Sequence, residues 1–180
     1  MKNLLIFGSA SVLAAGFVGL GVGSGSLASA AGVSSESDSP PSLVEDFTHP
    51  GADQILTEHG LKVYKGDGNI WFSSSRLYGS PEGRCPVGEI QVEKALEVAP
   101  HGVWFCFQTR GTEGYLTLEV PATFGIRGGS VPVEAVADLG EDGEQTFEVP
   151  PNRPVVIDTG DQGERPEAIL VELRLTPGES

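Results

Sequence analysis

Val103-Trp104-Phe105-Cys106-Phe107-Gln108-Thr109, followed after a short break by Gly114-Tyr115-Leu116-Thr117-Leu118-Glu119-Val120, is the stretch that decides the fold. The second segment alternates cleanly. Leu116, Leu118 and Val120 fall on one side and Thr117 and Glu119 on the other, the period of a half-buried β-strand. The first is apolar at consecutive positions, too apolar for a strand with one wet face. It reads as a central strand buried on both sides.

The same period extends outward in both directions. Val131 to Asp138 and Gln145 to Val149 flank Gly140-Glu141-Asp142-Gly143 and predict a hairpin. Leu61 to Lys65 and Ile70 to Ser74 flank Gly66-Asp67-Gly68-Asn69, which predicts another, because Asp-Gly tolerates the positive φ of tight turns. Glu89 to Val98 alternates as a strand, although Glu-Lys-Ala-Leu-Glu within it carries good helix formers. Val155 to Asp158 is a short strand. Ala168 to Thr176 closes the pattern, with Ile169, Val171, Leu173 and Leu175 on one side and Glu172 and Arg174 on the other. Gly79 to Gly88, with Pro81 and Pro86, is a loop that brings in Cys85.

Only Pro50 to Gly60 is helical. Ala52, Ile55, Leu56 and His59 share one face, Asp53 suits the positive first turn, and Gly60 supplies the left-handed stop. His59 therefore has a structural explanation. The fold expected is all-β: a single antiparallel β-sandwich or flattened barrel of about eight or nine short strands, with one short N-terminal helix.

Residues 1–30 read as a signal peptide. Lys2 precedes an apolar run from Leu4 to about Val22, and Ala28-Ser29-Ala30 offers a small-x-small cleavage site. A single membrane span competes with this reading. Gly8, Gly16, Gly19, Gly21 and Gly23 weaken it, and no basic residue follows before Lys62. Residues 31–46, rich in Ser, Gly, Pro and acid, are expected to be a disordered mature N-terminus, and residues 47–177 a single β domain.

The whole chain has 25 acidic and 11 basic side chains, a net charge of −14, and cleavage after Ala30 would remove Lys2 and no acid. Such a charge excludes nucleic acid, whose phosphates require Lys and Arg, and an anionic membrane surface after signal cleavage. A secreted location makes one disulfide between Cys85 and Cys106 the default, closing a loop of about twenty residues. A reactive thiol near His101 is the competing reading, and no motif supports it.

No catalytic constellation is recognisable. Ser73-Ser74-Ser75 lacks a glycine-flanked elbow, and His49, His59 and His101 lie in predicted loops or at a helix end. Asp138, Glu141, Asp142 and Glu144 crowd one turn, and Asp158, Asp161 and Glu164 crowd another. Neither has the spacing of a calcium loop, so no metal and no cofactor are expected. Trp71 lies on the opposite face from Ile70 and Phe72. If those two face the core, Trp71 and Tyr64 are candidates to stack on a sugar ring or anchor a protein partner.

Ile55-Leu-Thr-Glu-His-Gly-Leu-Lys62, Lys65-Gly-Asp-Gly-Asn-Ile70, Cys106-Phe107, Gly114-Tyr-Leu-Thr-Leu-Glu-Val-Pro121 and Phe124-Gly-Ile-Arg-Gly128 carry a likeness. In these motifs the chain resembles small secreted all-β proteins of streptomycetes and related actinobacteria, over roughly residues 47–175. The resemblance implies export and a compact β domain, and it brings no activity and no functional residue with it. In that group the first cysteine follows the second hairpin strand directly. Here Ser73 to Ser75 occupy that stretch and Cys85 comes later.

The functional expectation is a secreted, non-catalytic β-sandwich binding module whose partner is an extracellular protein or polysaccharide. A protease inhibitor is one form of it, with the loop Gly79 to Gly88 entering a protease cleft. A binder of cell surfaces or polymers is another. The alternative is a small extracellular hydrolase acting on cell-wall or environmental polymers.

Overall fold

A computed structural model describes residues 48–160 and 164–178. The signal peptide and the disordered segment expected over residues 1–46 lie outside the described residues. The rest belongs to one compact unit, Ser42–Ser180.

One helix and ten strands follow in order: α1 (Ala52–His59), β1 (Lys62–Gly66), β2 (Ile70–Leu77), β3 (Ile90–Ala95), β4 (Gly102–Thr109), β5 (Gly114–Pro121), β6 (Thr123–Arg127), β7 (Val133–Asp138), β8 (Glu144–Val149), β9 (Pro154–Val156) and β10 (Ile169–Leu175). They form two five-stranded antiparallel sheets, ordered β1-β5-β10-β7-β8 and β2-β4-β3-β6-β9. The inward residues of both sheets make one apolar core, including Ile90, Val92, Phe105 and Phe107 from one sheet and Leu116, Leu118, Leu170 and Leu173 from the other. The fold is the all-β sandwich expected, with the short helix in front.

Several local expectations hold. β4 is central, lying between β2 and β3, and Gly102 to Phe107 are buried without interruption. β7 and β8 form the hairpin around Gly140–Asp142, with Asp138 Oδ1 accepting the Gly140 N–H at 2.9 Å. Gly60 ends α1 in the left-handed region, its N–H donating to the Leu56 carbonyl.

Three expectations need correction. Residues 61–74 are not a hairpin: β1 pairs with β5 in one sheet and β2 with β4 in the other. The glycine-rich link crosses between sheets instead. Gly66 runs so close to β5 that a Cβ there would lie 2.9 Å from the Tyr115 carbonyl oxygen. Asp67 Oδ1 accepts the N–H groups of Asn69 at 3.0 Å and Tyr115 at 3.3 Å, which ties the turn to the start of β5.

Second, β6 is a strand the alternation did not predict. The chain leaves β5 at Pro121, turns at Ala122 with φ 58°, and enters the opposite sheet as β6. Gly125 interrupts the period there, because β9 passes too close for a side chain. Third, a bulge between Leu170 and Glu172 shifts the parity of β10. Leu170, Leu173 and Leu175 are buried, whereas Ile169 and Val171 are only half-buried. A single added residue moves every side chain beyond it to the other face.

α1 lies at the edge where β1 and β2 belong to different sheets. Ile55 packs against the core, and His59 packs on Phe72 with ring centroids 4.8 Å apart.

The crossing from β9 to β10 is held by one carboxylate. Asp158 accepts N–H groups from Gly160 at 2.7 Å, Glu167 at 2.7 Å and Ala168 at 3.0 Å. Burial raises its pKa, but the three donors outweigh burial and the net shift is downward. A lowered folded pKa contributes stability above the unfolded pKa and loses it as pH falls through the folded value. Asp158→Asn should therefore lower stability by about 2 kcal/mol at neutral pH, where the wild-type acceptor is charged. The gap should narrow as pH drops below the ordinary carboxylate value of about 3.9. Urea unfolding of both proteins at pH 7 and pH 3 checks this.

Candidate functional site

The outward column of β4 is Trp104, Cys106 and Gln108, alternating with the inward Val103, Phe105 and Phe107. On most solvent-facing sheets such a column would be polar. Here the loop between β2 and β3, residues 78–89, folds back over it. Cys85 and Cys106 form the expected disulfide, with Cα atoms 5.5 Å apart. Trp104 is packed by the Tyr78 ring at 4.3 Å between centroids and by the Arg84 guanidinium at 5.4 Å.

Two arginines rooted on the sheet hold the loop backbone from beneath. Arg76 of β2 donates from Nη1 to the carbonyls of Glu82 at 2.7 Å and Arg84 at 2.9 Å. Arg127 of β6 donates from Nη2 to the carbonyls of Cys85 at 3.0 Å and Pro86 at 3.1 Å. The loop also closes on itself: Gly83 N–H donates to Ser80 O and Glu89 N–H to Pro86 O. The second of these turns needs a positive φ at Gly88, 91°. At its tip Val87 is 85% exposed.

The bedding of the loop is polar. Glu89 and Gln91 are 9% and 3% exposed. Glu89 Oε1 accepts from Gln108 Nε2 at 2.9 Å and, more weakly, from the Ser73 hydroxyl at 3.4 Å. The Tyr78 hydroxyl donates to Glu93. Burial raises the Glu93 carboxyl above its ordinary pKa, opposed by the Trp104 indole beside it. Burial likewise lowers the pKa of Arg127. Arg76 Nε, Ser80 Oγ, Glu89 Oε2, Gln91 Oε1 and Arg127 Nε are buried without a partner among the described residues. Directional bonds, rather than apolar contact alone, set the position of this loop.

The two aromatic residues singled out from sequence do not meet. Trp71 is half-buried and lies opposite Gln108 of β4. It borders a groove of about 430 Å³ beside α1, with Phe72, Ile55, Pro50, His49 and Gln54. Burial lowers the His49 pKa, partly opposed by a bond to the Pro50 backbone. Tyr64 belongs to the other sheet and borders a different groove with Leu56 and Ala52. It is 45% exposed, and its hydroxyl donates to Glu119 Oε2 at 2.6 Å. One ligand ring cannot be stacked by both.

A serine and a histidine do come together. His59 Nδ1 and Ser75 Oγ are 2.8 Å apart, and Glu58 lies 3.8 Å from His59 Nε2. Neither Ser75 nor His59 lines any of the five grooves of this molecule described by their lining residues. The pair fastens the end of α1 to β2. Among the described residues no three His, Cys, Asp or Glu side chains gather as metal ligands.

Sequence reasoning found the loop and its cysteine but missed Arg76, Arg127, Glu89 and Gln91, which carry it. The available signal was two polar residues, Glu89 just before β3 and Gln91 at an outward position within it, beside the outward Trp104 and Cys106 of β4. No protein-family model matches the chain, and no curated protein matches it either.

Replacing both cysteines, Cys85→Ser with Cys106→Ser, should cost about 3 kcal/mol through loop entropy and leave the β-sheet circular dichroism intact. Urea midpoints of the variant and the oxidised wild type measure the difference.

Proposed function

We propose that this protein is an exported, non-catalytic β-sandwich module that presents the loop 79–88 to an extracellular protein partner. The observation that carries this reading is the support of the loop. Four carbonyls, of Glu82, Arg84, Cys85 and Pro86, rest on two guanidiniums, and a disulfide holds the same segment down. A loop ordered before binding loses little conformational entropy on association, so more of the contact energy appears as affinity. Val87 at the tip is an apolar anchor of the kind that fills a partner's pocket.

A protease inhibitor is the more specific form of this reading. A protease cleft takes an extended segment, whereas Pro86 to Glu89 close a tight turn. The turn favours docking of a convex tip over insertion of an extended strand. A polysaccharide partner would use the Trp71 groove instead.

The hydrolase alternative has one observation in its favour, the Ser75–His59–Glu58 arrangement. Against it, neither Ser75 nor His59 lines any of the five grooves described among these residues, where a scissile bond would have to lie. Covalent labelling of Ser75 by a fluorophosphonate would move the reading to this class.

Surface plasmon resonance with fractionated spent medium should show saturable binding to the wild type. Val87→Asp should abolish it without moving the melting temperature. Inhibition assays with secreted serine proteases, at micromolar protein, decide the inhibitor form. Equal binding by wild type and Val87→Asp would refute the role of the loop.

A further inference from the structure

The inward column of β3 runs Ile90, Val92, Lys94. Each pairs with a core residue of β4, respectively Phe107, Phe105 and Val103. The first two are fully buried. The third position, where the period demands another apolar side chain, holds a half-buried lysine. It borders a groove of about 490 Å³ that touches both sheets, with apolar walls from Pro121, Ala122, Pro166 and Ile169.

The Lys94 ammonium makes no hydrogen bond and no ion pair among the described residues. The charges that act on it are Arg165 and Glu119. Both oxygens of Glu119 are already engaged, Oε1 by Lys62 Nζ at 2.6 Å and Oε2 by the Tyr64 hydroxyl at 2.6 Å. Those two bonds lower the Glu119 pKa, so it stays an acceptor committed to them. Arg165 pairs with Glu97 at 3.0 Å and borders the same groove. Burial first, then Arg165, disfavours the protonated form of Lys94, and Glu119 opposes them.

A lysine stem can lie along apolar surface while its charge reaches water. That accounts for the stem. It leaves a partly desolvated cation beside a second cation, in a chain with 25 acids and 11 bases, with no anion bonded to it among the described residues. We propose that this groove binds a small monocarboxylate with an apolar body. The carboxylate would sit on Lys94 with Arg165 as second donor, and the body against Pro121, Ala122, Pro166 and Ile169. Charge-assisted bonds to a carboxylate are the strong ones, and the groove has the volume of a small-ligand site. Glu164 and Glu167 complete the lining, and their negative charge would disfavour a ligand carrying more than one anionic group. The site shares no residue with the loop 79–88, so the inference stands apart from the proposed function.

The test is titration of the isotope-labelled, folded protein with hexanoate, followed by amide chemical shifts. Hexanol keeps the body without the charge, and acetate keeps the charge without the body. Saturable shifts at Lys94, Ala122 and Ile169 are expected with hexanoate, with binding about tenfold weaker or more for either control. Lys94→Met should weaken hexanoate binding about tenfold or more while holding or raising the melting temperature, because methionine extends the apolar column. Should that variant fail to fold, Lys94→Gln gives the same readout. Absence of saturable shifts up to about 10 mM hexanoate, hexanol binding as well as hexanoate, or undiminished binding by the Lys94 variant would each overturn the proposal.

Discussion

One covalent link organises the outer surface of this sandwich. Cys106 sits in the middle of the central strand β4, on the face turned away from the core, and its bond to Cys85 draws residues 78–89 across that face. A strand that would otherwise show water one side is thereby buried on both. Trp104 gains a covering of Tyr78 and Arg84 that it would lack on an open sheet. A cross-link over this span is worth about 3 kcal/mol in the chain-entropy view, a large share of the 5–15 kcal/mol that holds a typical domain together.

The link alone fixes one point of the loop. The remaining freedom is removed by Arg76 and Arg127, each bonded to two carbonyls. Arginine suits this task because its planar head offers several donors in a fixed geometry. Beneath them the buried Glu89 and Gln91 and the half-buried Glu93 supply acceptors that a purely apolar sheet face would not contain. The core below needs none of this: its two apolar faces close on each other. The polar layer makes sense as the mount of a surface loop, and the surface loop is where binding residues are held.

Period-two alternation made most of the fold legible before any coordinates. It located β5, the β7–β8 hairpin and the closing strand, because each turns one face to the core, while β4 showed itself by an unbroken apolar run. It failed where the chain changes sheets. Gly66-Asp67-Gly68-Asn69 has the composition of a hairpin turn, yet a sheet-crossing link needs the same small, φ-permissive residues. β6 was hidden by Gly125, and the parity of β10 by a bulge that no residue type announces. The site was legible only in outline. Cysteine count and compartment pointed to the disulfide, and the prolines and glycines pointed to a loop. Nothing local in the sequence says that Arg76 and Arg127 reach beneath that loop, since they lie on strands separated by two others in the sheet.

The central claim is that residues 78–89 form a rigid, pre-ordered surface rather than a flexible tether closed by a disulfide. Native-state hydrogen exchange measures this directly through the amides of Gly83 and Glu89, which donate to Ser80 and Pro86 within the loop. In the oxidised protein both should be protected, and mild reduction should release them while the amides of β5 and β10 stay protected. Exchange of Gly83 and Glu89 at the rate of an unstructured peptide in the oxidised protein would contradict the account.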